Sequence, residues 1–240
     1  MNRLILFDVD GTLIERGDPA HVAAIDASVV GAFPDLGLSI HDIDIDGKVD
    51  RQILRELVRA GGVTDDIGPA VLASMIDAAT KSYLEAWSGR TGDDDLLPGV
   101  RPLLERLAGC EAFSLGLLTG GIGRIVAAKM TRLNLGRFFP IGAFGDEVDR
   151  REDLVPLALA RARREYQVPF TAEDVVVVGD TPRDVEASHA GNVACVGVAT
   201  GRYSEAELIA SGADAVVPDL TATDQVIDLL RSVRRKTISS

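Results

Sequence analysis

Apolar residues along this chain follow two patterns. Unbroken runs stand at residues 4–7 (LILF), 113–118 (FSLGLL), 174–178 (DVVVV) and 193–198, with weaker ones at 138–143 and 215–217. Such runs suit strands buried on both faces, as in a parallel sheet with helices above and below. Between them, apolar positions recur at helical spacing. Asp18-Pro19 opens a helix over 20–33 with Pro at the first helical position. Ile53, Leu54, Leu57 and Val58 line one face of a helix over 49–60 that Gly61-Gly62 stops. Further helices are predicted over 71–87, 98–108, 122–133 and 153–164, and onward from Thr181-Pro182. The alternation predicts an α/β fold, a Rossmann-like doubly wound parallel sheet. Residues 16–95 carry helices and no second buried strand, so an all-helical module is expected to interrupt a core of residues 1–15 and 96–240. Trp87 is expected to pack inside that module, residues 88–95 to form a polar linker, and the basic stretch 231–236 to be a solvated helix end.

Three of the strand runs stop at polar residues: Asp8 and Asp10 after the first, Thr119 after the second, Asp180 with Asp184 after the third. In open α/β sheets ligands bind at this carboxyl edge. Acids there are costly unless a cation or a proton-transfer role compensates them. DxD alone reads equally well as an acidic turn. Asp180 and Asp184 are four apart, so a strand-end carboxylate and one in the next helical turn can face one hole. The all-oxygen set Asp8, Asp10, Asp180 and Asp184 selects a hard cation, and one that keeps several waters suits Mg²⁺.

Composition narrows the partners. The 240 residues, 46% apolar, allow one large α/β domain with a smaller insertion. Lys plus Arg number 25 and Asp plus Glu 37, a net charge of −12, which argues against nucleic acid or an anionic membrane. A small anionic substrate remains compatible, because a bound cation reverses the local field. Cys110 and Cys195 fit neither a disulfide framework nor a metal spacing, and no apolar run approaches a membrane span, so a reduced, cytoplasmic setting is expected. A monomer or homodimer is the expected state.

The stretches FDVDGTL, LLTGG and VVVVGDTPRD, with GDTPRDVEASHAG continuing to VGVATGRYS, resemble the haloacid dehalogenase superfamily of phosphotransferases, and within it the phosphoglycolate phosphatase-like branch. The resemblance implies a helical cap after the first strand. It makes Asp8 the nucleophile that forms an aspartyl-phosphate and Asp10 the general acid and base. Thr119 and the backbone of Gly120 and Gly121 would hold the phosphoryl oxygens. Asp10 favours a phosphatase over a dehalogenase, since a halide leaving group needs no proton. The turn Gly47-Lys48-Val49-Asp50-Arg51 resembles the cap's substrate-specificity loop, with Lys48, Asp50 and Arg51 as substrate contacts; it reads equally well as a helix start capped by Asp50.

Two departures stand out. Residues 148–154 (VDRREDL) contain no Lys where such relatives usually have one, so Arg151 is assigned its task, with Arg150 as the competing neighbour. Lys129, mid-helix, is expected at the surface. Gly120 replaces a frequent Asn, which implies one side-chain contact fewer. His21, His41 and His189 are expected to be structural or surface residues, and Cys195 core. The expected activity is Mg²⁺-dependent hydrolysis of a small phosphorylated metabolite, phosphoglycolate-like or a sugar phosphate. The rivals are a phosphomutase, a non-catalytic module binding phosphorylated metabolites, and a phosphonate hydrolase using a cap lysine.

Overall fold

The computed structural model describes residues 2–64, 66–86 and 95–236. Six parallel strands form one sheet: β1 (Arg3–Phe7), β2 (Phe113–Thr119), β3 (Ile141–Phe144), β4 (Val175–Gly179), β5 (Ala194–Val198) and β6 (Ala215–Val217), in the spatial order β3-β2-β1-β4-β5-β6. Every residue of β1, β2, β4 and β5 is buried, which is why those strands read as continuous apolar runs. Their alternation sorts side chains between two layers. Ile5 and Phe7 pack with Leu103 and Leu107 of α4 (Val100–Ala108) and Leu230 of α9 (Thr223–Ser232), whereas Leu4 and Leu6 pack with Leu154, Val155 and Ala158 of α6 (Leu154–Tyr166).

Between β1 and β2 the described residues form four helices and no strand: α1 (Pro19–Ala32), α2 (Asp50–Ala60), α3 (Pro69–Ala86) and α4. The first three build a second apolar cluster from Ile25, Val29, Leu54, Leu57, Leu72 and Met75. It is completed from the core side by Ile122 and by Ile125 of α5 (Gly123–Arg132), so the helical insertion rests on the start of α5. As expected, Asp18 caps α1, accepting from the Ala20 N–H at 3.0 Å. The expectation for Trp87 and most of the 88–95 linker lies outside the described residues.

The strand expected at 138–143 begins later, because residues 136–138 form a 3₁₀ turn. One helix was not anticipated, α8 (Glu205–Ala210), and of α9 only the end was, in the basic stretch 231–236. The first is only six residues long and is fixed by a capping box between Ser204 and Glu207; the second, with Val226, Ile227 and Leu230 buried, ends at Ser232, inside the basic stretch. α7 (Pro182–Ala190) follows β4 directly.

Candidate active site

β1 lies between β2 and β4, with Phe7 in register with Leu117 and with Val178. That pairing brings the ends carrying Asp8, Thr119 and Asp180 side by side. Asp8, Asp180 and Asp184 are all buried, and one carboxylate oxygen from each lies within 4.8 Å of the others. Asp184 is held on both sides: its Oδ2 accepts from the Thr181 N–H (3.1 Å) and hydroxyl (2.7 Å), and its Oδ1 accepts from Arg151 Nη2 (2.5 Å) and Nε (3.2 Å). Arg151 Nη2 also stands 3.1 Å from Asp8 Oδ1. Arg150 points away and pairs with Glu152 and Asp153 at the surface.

Asp180 differs, because both its oxygens are buried without a hydrogen-bond partner. Its carboxylate fits against the backbones of Gly11 (φ +93°) and Gly201, where any Cβ would collide with it. Burial pushes the Asp8 carboxyl up to about 7, with Asp184 and Asp10 adding to the effect and Arg151 opposing it. Burial, then Asp8 and Asp184, push Asp180 up to about 8. Burial would lower the Arg151 pKa, but Asp184 and Asp8 outweigh it and hold the guanidinium charged. Three carboxylates face one guanidinium, so full ionisation of all three would leave an excess of two negative charges in a buried site. The orphaned oxygens, this charge excess and the all-oxygen donor set fit a divalent hard cation such as Mg²⁺.

Asp10 is not in this cluster, contrary to the expected four-carboxylate set. Its Oδ1 accepts a hydrogen bond from Lys129 Nζ at 2.8 Å. Lys129 is fully buried, a correction to its expected surface position, and also approaches Asp18 (3.6 Å) and His21 Nδ1 (3.5 Å). Burial would lower its pKa, but Asp10, Asp18 and Asp50 outweigh burial and hold it above the usual lysine value. The reason is helical phase: Lys129 shares the inward face of α5 with Ile125, Val126 and Met130. That apolar spacing was readable in the sequence.

The turn before α2 inserts directly into the site. Gly120 accepts from the Asp50 N–H at 2.7 Å, and a Cβ at Gly120 would strike the Lys48 carbonyl. Gly120 therefore does more than omit a contact; it admits this turn. Asp50 does not cap its own helix, whose N-cap is Val49. Its Oδ2 instead accepts from the Ile122 N–H (2.8 Å) at the start of α5 and pairs with His21 Nε2 (2.9 Å). Arg151 Nη1 donates to the Gly47 carbonyl (3.3 Å). Lys48 borders the cavity with its ammonium 2.5 Å from Glu56, whereas Arg51 faces Asp149 and the Asp146 carbonyl outside it, so the contact expected of Arg51 is corrected. Asp8, Asp10, Thr119, Gly120, Gly121 and Arg151 border one cavity of about 150 Å³. His21, expected to be structural or superficial, lines it too.

A haloacid dehalogenase-like hydrolase model matches residues 2–192. The chain belongs to this family. Phosphoglycolate phosphatase 1 of Pseudomonas aeruginosa is 28% identical over 95% of this chain and 82% of its own, and the phosphoglycolate phosphatase of Pseudomonas syringae pv. tomato is 30% identical over 90% and 76%. These relatives rank the chain with the family's phosphoric monoester hydrolases. Among solved structures, CbbY from Rhodobacter sphaeroides in complex with phosphate superposes with a TM-score of 0.65 at 22% identity, covering 92% of this chain and 96% of its own. A candidate β-phosphoglucomutase from Bacteroides vulgatus reaches 0.66 at 18% identity, covering 98% and 91%. The α/β fold is thus shared with these solved structures. Among the described residues no helix is long and apolar enough to cross a membrane.

Proposed function

We propose that this hydrolase is an Mg²⁺-dependent phosphatase acting on a small phosphorylated metabolite through an aspartyl-phosphate on Asp8. The observation that carries the reading is the strand-end cluster of Asp8, Asp180 and Asp184 around Arg151. Mg²⁺ held by Asp8, Asp180 and Asp184 would neutralise phosphoryl oxygens and keep Asp8 ionised. Arg151 fixes the Asp8 carboxylate in position and adds a permanent charge beside the transferring group, the positioning and electrostatic help on which phosphoryl transfer depends. Asp10, anchored by Lys129, gives a proton to the leaving oxygen and then takes one from the attacking water. Thr119 and the Gly120-Gly121 backbone bound the phosphoryl position.

Residues 16–95 are read as a cap that covers Asp8 and excludes water, with residues 1–15 and 96–240 as the catalytic core. The names of the relatives favour a phosphoglycolate-like substrate; a sugar phosphate is the alternative. The free thiols Cys110 and Cys195 suit a cytoplasmic enzyme, working as monomer or homodimer without nucleic acid or membrane. Phosphate release from a panel of phosphorylated metabolites, with Mg²⁺ or with EDTA, tests the reading. Asp8→Asn is expected to abolish turnover with the fold intact. Retention of more than about a hundredth of the activity, a loss under ~3 kcal/mol, excludes Asp8 as nucleophile. Transfer of phosphate between positions of one sugar, without release, would mark a mutase instead.

A further inference from the structure

The turn that reaches into the cavity is fastened from two directions. The Lys48 N–H donates to the Ile45 carbonyl (3.1 Å), which closes a tight turn with Asp46 and Gly47 (φ +65°) at its tip. Its inner side is fixed by Arg151, which donates to the Gly47 carbonyl, and by the Asp50 N–H on Gly120. Its outer side carries the Asp46 carboxylate, and each oxygen of that group is taken by a different arginine. Oδ1 accepts from Arg16 Nη2 at 2.7 Å, and Oδ2 accepts from Arg202 Nη1. Burial would raise the Asp46 pKa, but Arg16 and Arg202 outweigh it and hold the carboxyl below its ordinary value.

The two arginines come from distant parts of the chain. Arg16 lies in the connection between β1 and α1 and lines the cavity; Arg202 lies in the loop between β5 and α8. That loop is itself well anchored. The Thr200 hydroxyl donates to the Gly11 carbonyl (2.6 Å), Gly201 packs so closely on Asp180 that a Cβ would collide with it, and a capping box at Ser204 starts α8. The Asp46–Arg202 pair therefore joins the inserted turn to the loop that walls Asp180. Because the Arg202 side chain is 68% exposed, the pair adds little to global stability. What it can set is where the turn sits.

We propose that Asp46 is a positioning residue: through Arg202 and Arg16 it holds the 47–50 turn in the cavity, so that a substrate meets a turn already in place. This rests on the reading of residues 16–95 as a cap over Asp8. Without the clasp the turn is seated for only part of the time, and apparent substrate affinity falls by that fraction. The sign of the effect separates position from field. Removing the Asp46 charge and freeing Arg16 would by themselves favour an anionic phosphate ester and lower KM, whereas loss of position raises it.

Asp46→Asn, Arg202→Gln and the variant carrying both are compared in two assays. Hydrogen exchange of the protein without metal or substrate is expected to quicken by at least about threefold at the amides of residues 48–50 in all three, with β1 and β4 unchanged. In phosphate release from p-nitrophenyl phosphate, Asp46→Asn is expected to raise KM about tenfold, between the small effect of an exposed pair and the large one of a buried pair, with kcat within about twofold. Arg202→Gln is expected to raise KM less, and the double variant to be no worse than Asp46→Asn, because Arg202 acts through Asp46. A lower KM in Asp46→Asn, a loss confined to kcat, unchanged exchange at residues 48–50, or a double variant that loses the product of the two single losses overturns the assignment while the phosphatase reading stands. Wild-type protein that releases no phosphate overturns that reading instead, and the exchange rates then decide the clasp alone.

Discussion

Arg151→Met removes a charge while keeping much of the side-chain stem, and its consequences follow from two distances. The guanidinium faces Asp184 at 2.5 Å and Asp8 at 3.1 Å, with a side chain only 8% exposed. Cutting a buried pair by deleting one partner costs about 3–5 kcal/mol, because the other charge is left uncompensated. Here the stranded carboxylates recover part of that by taking up protons, which also silences Asp8 as a nucleophile. The expected result is a melting temperature lower by several degrees and a kcat/KM lower by more than ~2 kcal/mol, about thirtyfold. Arg151→Lys is expected to regain part of the activity, since it restores the charge without the fork that serves Asp8 and Asp184 together. Arg150→Ala is the control: its side chain is 68% exposed and pairs only at the surface, so it is expected to cost under ~1 kcal/mol. Phosphate release at saturating Mg²⁺ and thermal melts check all three. A folded Arg151→Met enzyme within threefold of wild type, or an equal loss from Arg150→Ala, refutes the reasoning.

Three other outcomes are expected. Lys129→Met strands Asp10 and Asp18 and should lower stability by about 3 kcal/mol and kcat with it, measured by denaturant titration and initial rates; unchanged kcat in a folded variant would free Asp10 from any dependence on this lysine. Asp8 and Asp180, with native pKa values near 7 and 8 against 3.8, keep protons that the unfolded chain releases. Stability without metal should therefore fall as pH rises from about 4 to 8, by at most about 1.4 kcal/mol per unit per group, and Mg²⁺ should restore it most at the alkaline end. Melts in EDTA and in Mg²⁺ read this directly, and a melting temperature that climbs with pH in EDTA would contradict it. Arg51→Ala, lying outside the cavity, should leave KM within about twofold and cost under ~1 kcal/mol of stability; a large KM rise would return Arg51 to the substrate.

The strands around the site were legible because they are buried on both faces, which shows in the unbroken valines of 175–178. Arg151 was legible only through the resemblance, which expects a cation in the segment before the acidic motif, where residues 148–154 offer Arg150 and Arg151. Lys129 was misplaced because lysines usually reach solvent, yet Ile125, Val126 and Met130 around it marked the inward face of α5. Asp50 could be placed at a helix start but not assigned its partner, since it binds the Ile122 N–H, 72 residues away. Gly120 read as a lost side chain. Its actual use, admitting the Lys48 carbonyl, depends on two segments meeting, which local spacing does not encode.

Asp8 and Asp10 stand two residues apart on one strand end, and the surrounding cations separate them. Arg151 comes from the segment before α6 and meets Asp8 inside the acidic cluster; Lys129 comes from α5 and meets Asp10, whose side chain remains 31% exposed. One carboxylate is thus fixed among other acids, where a divalent cation would keep it ionised, while the other stands at the cavity with water in reach. A nucleophile and a proton carrier need that difference. It arises from which helix supplies each cation, not from the two aspartates themselves. An exchange of Arg151 and Lys129 types would therefore disturb both roles, since lysine lacks the fork that spans Asp8 and Asp184 and arginine exceeds the closed space around Lys129.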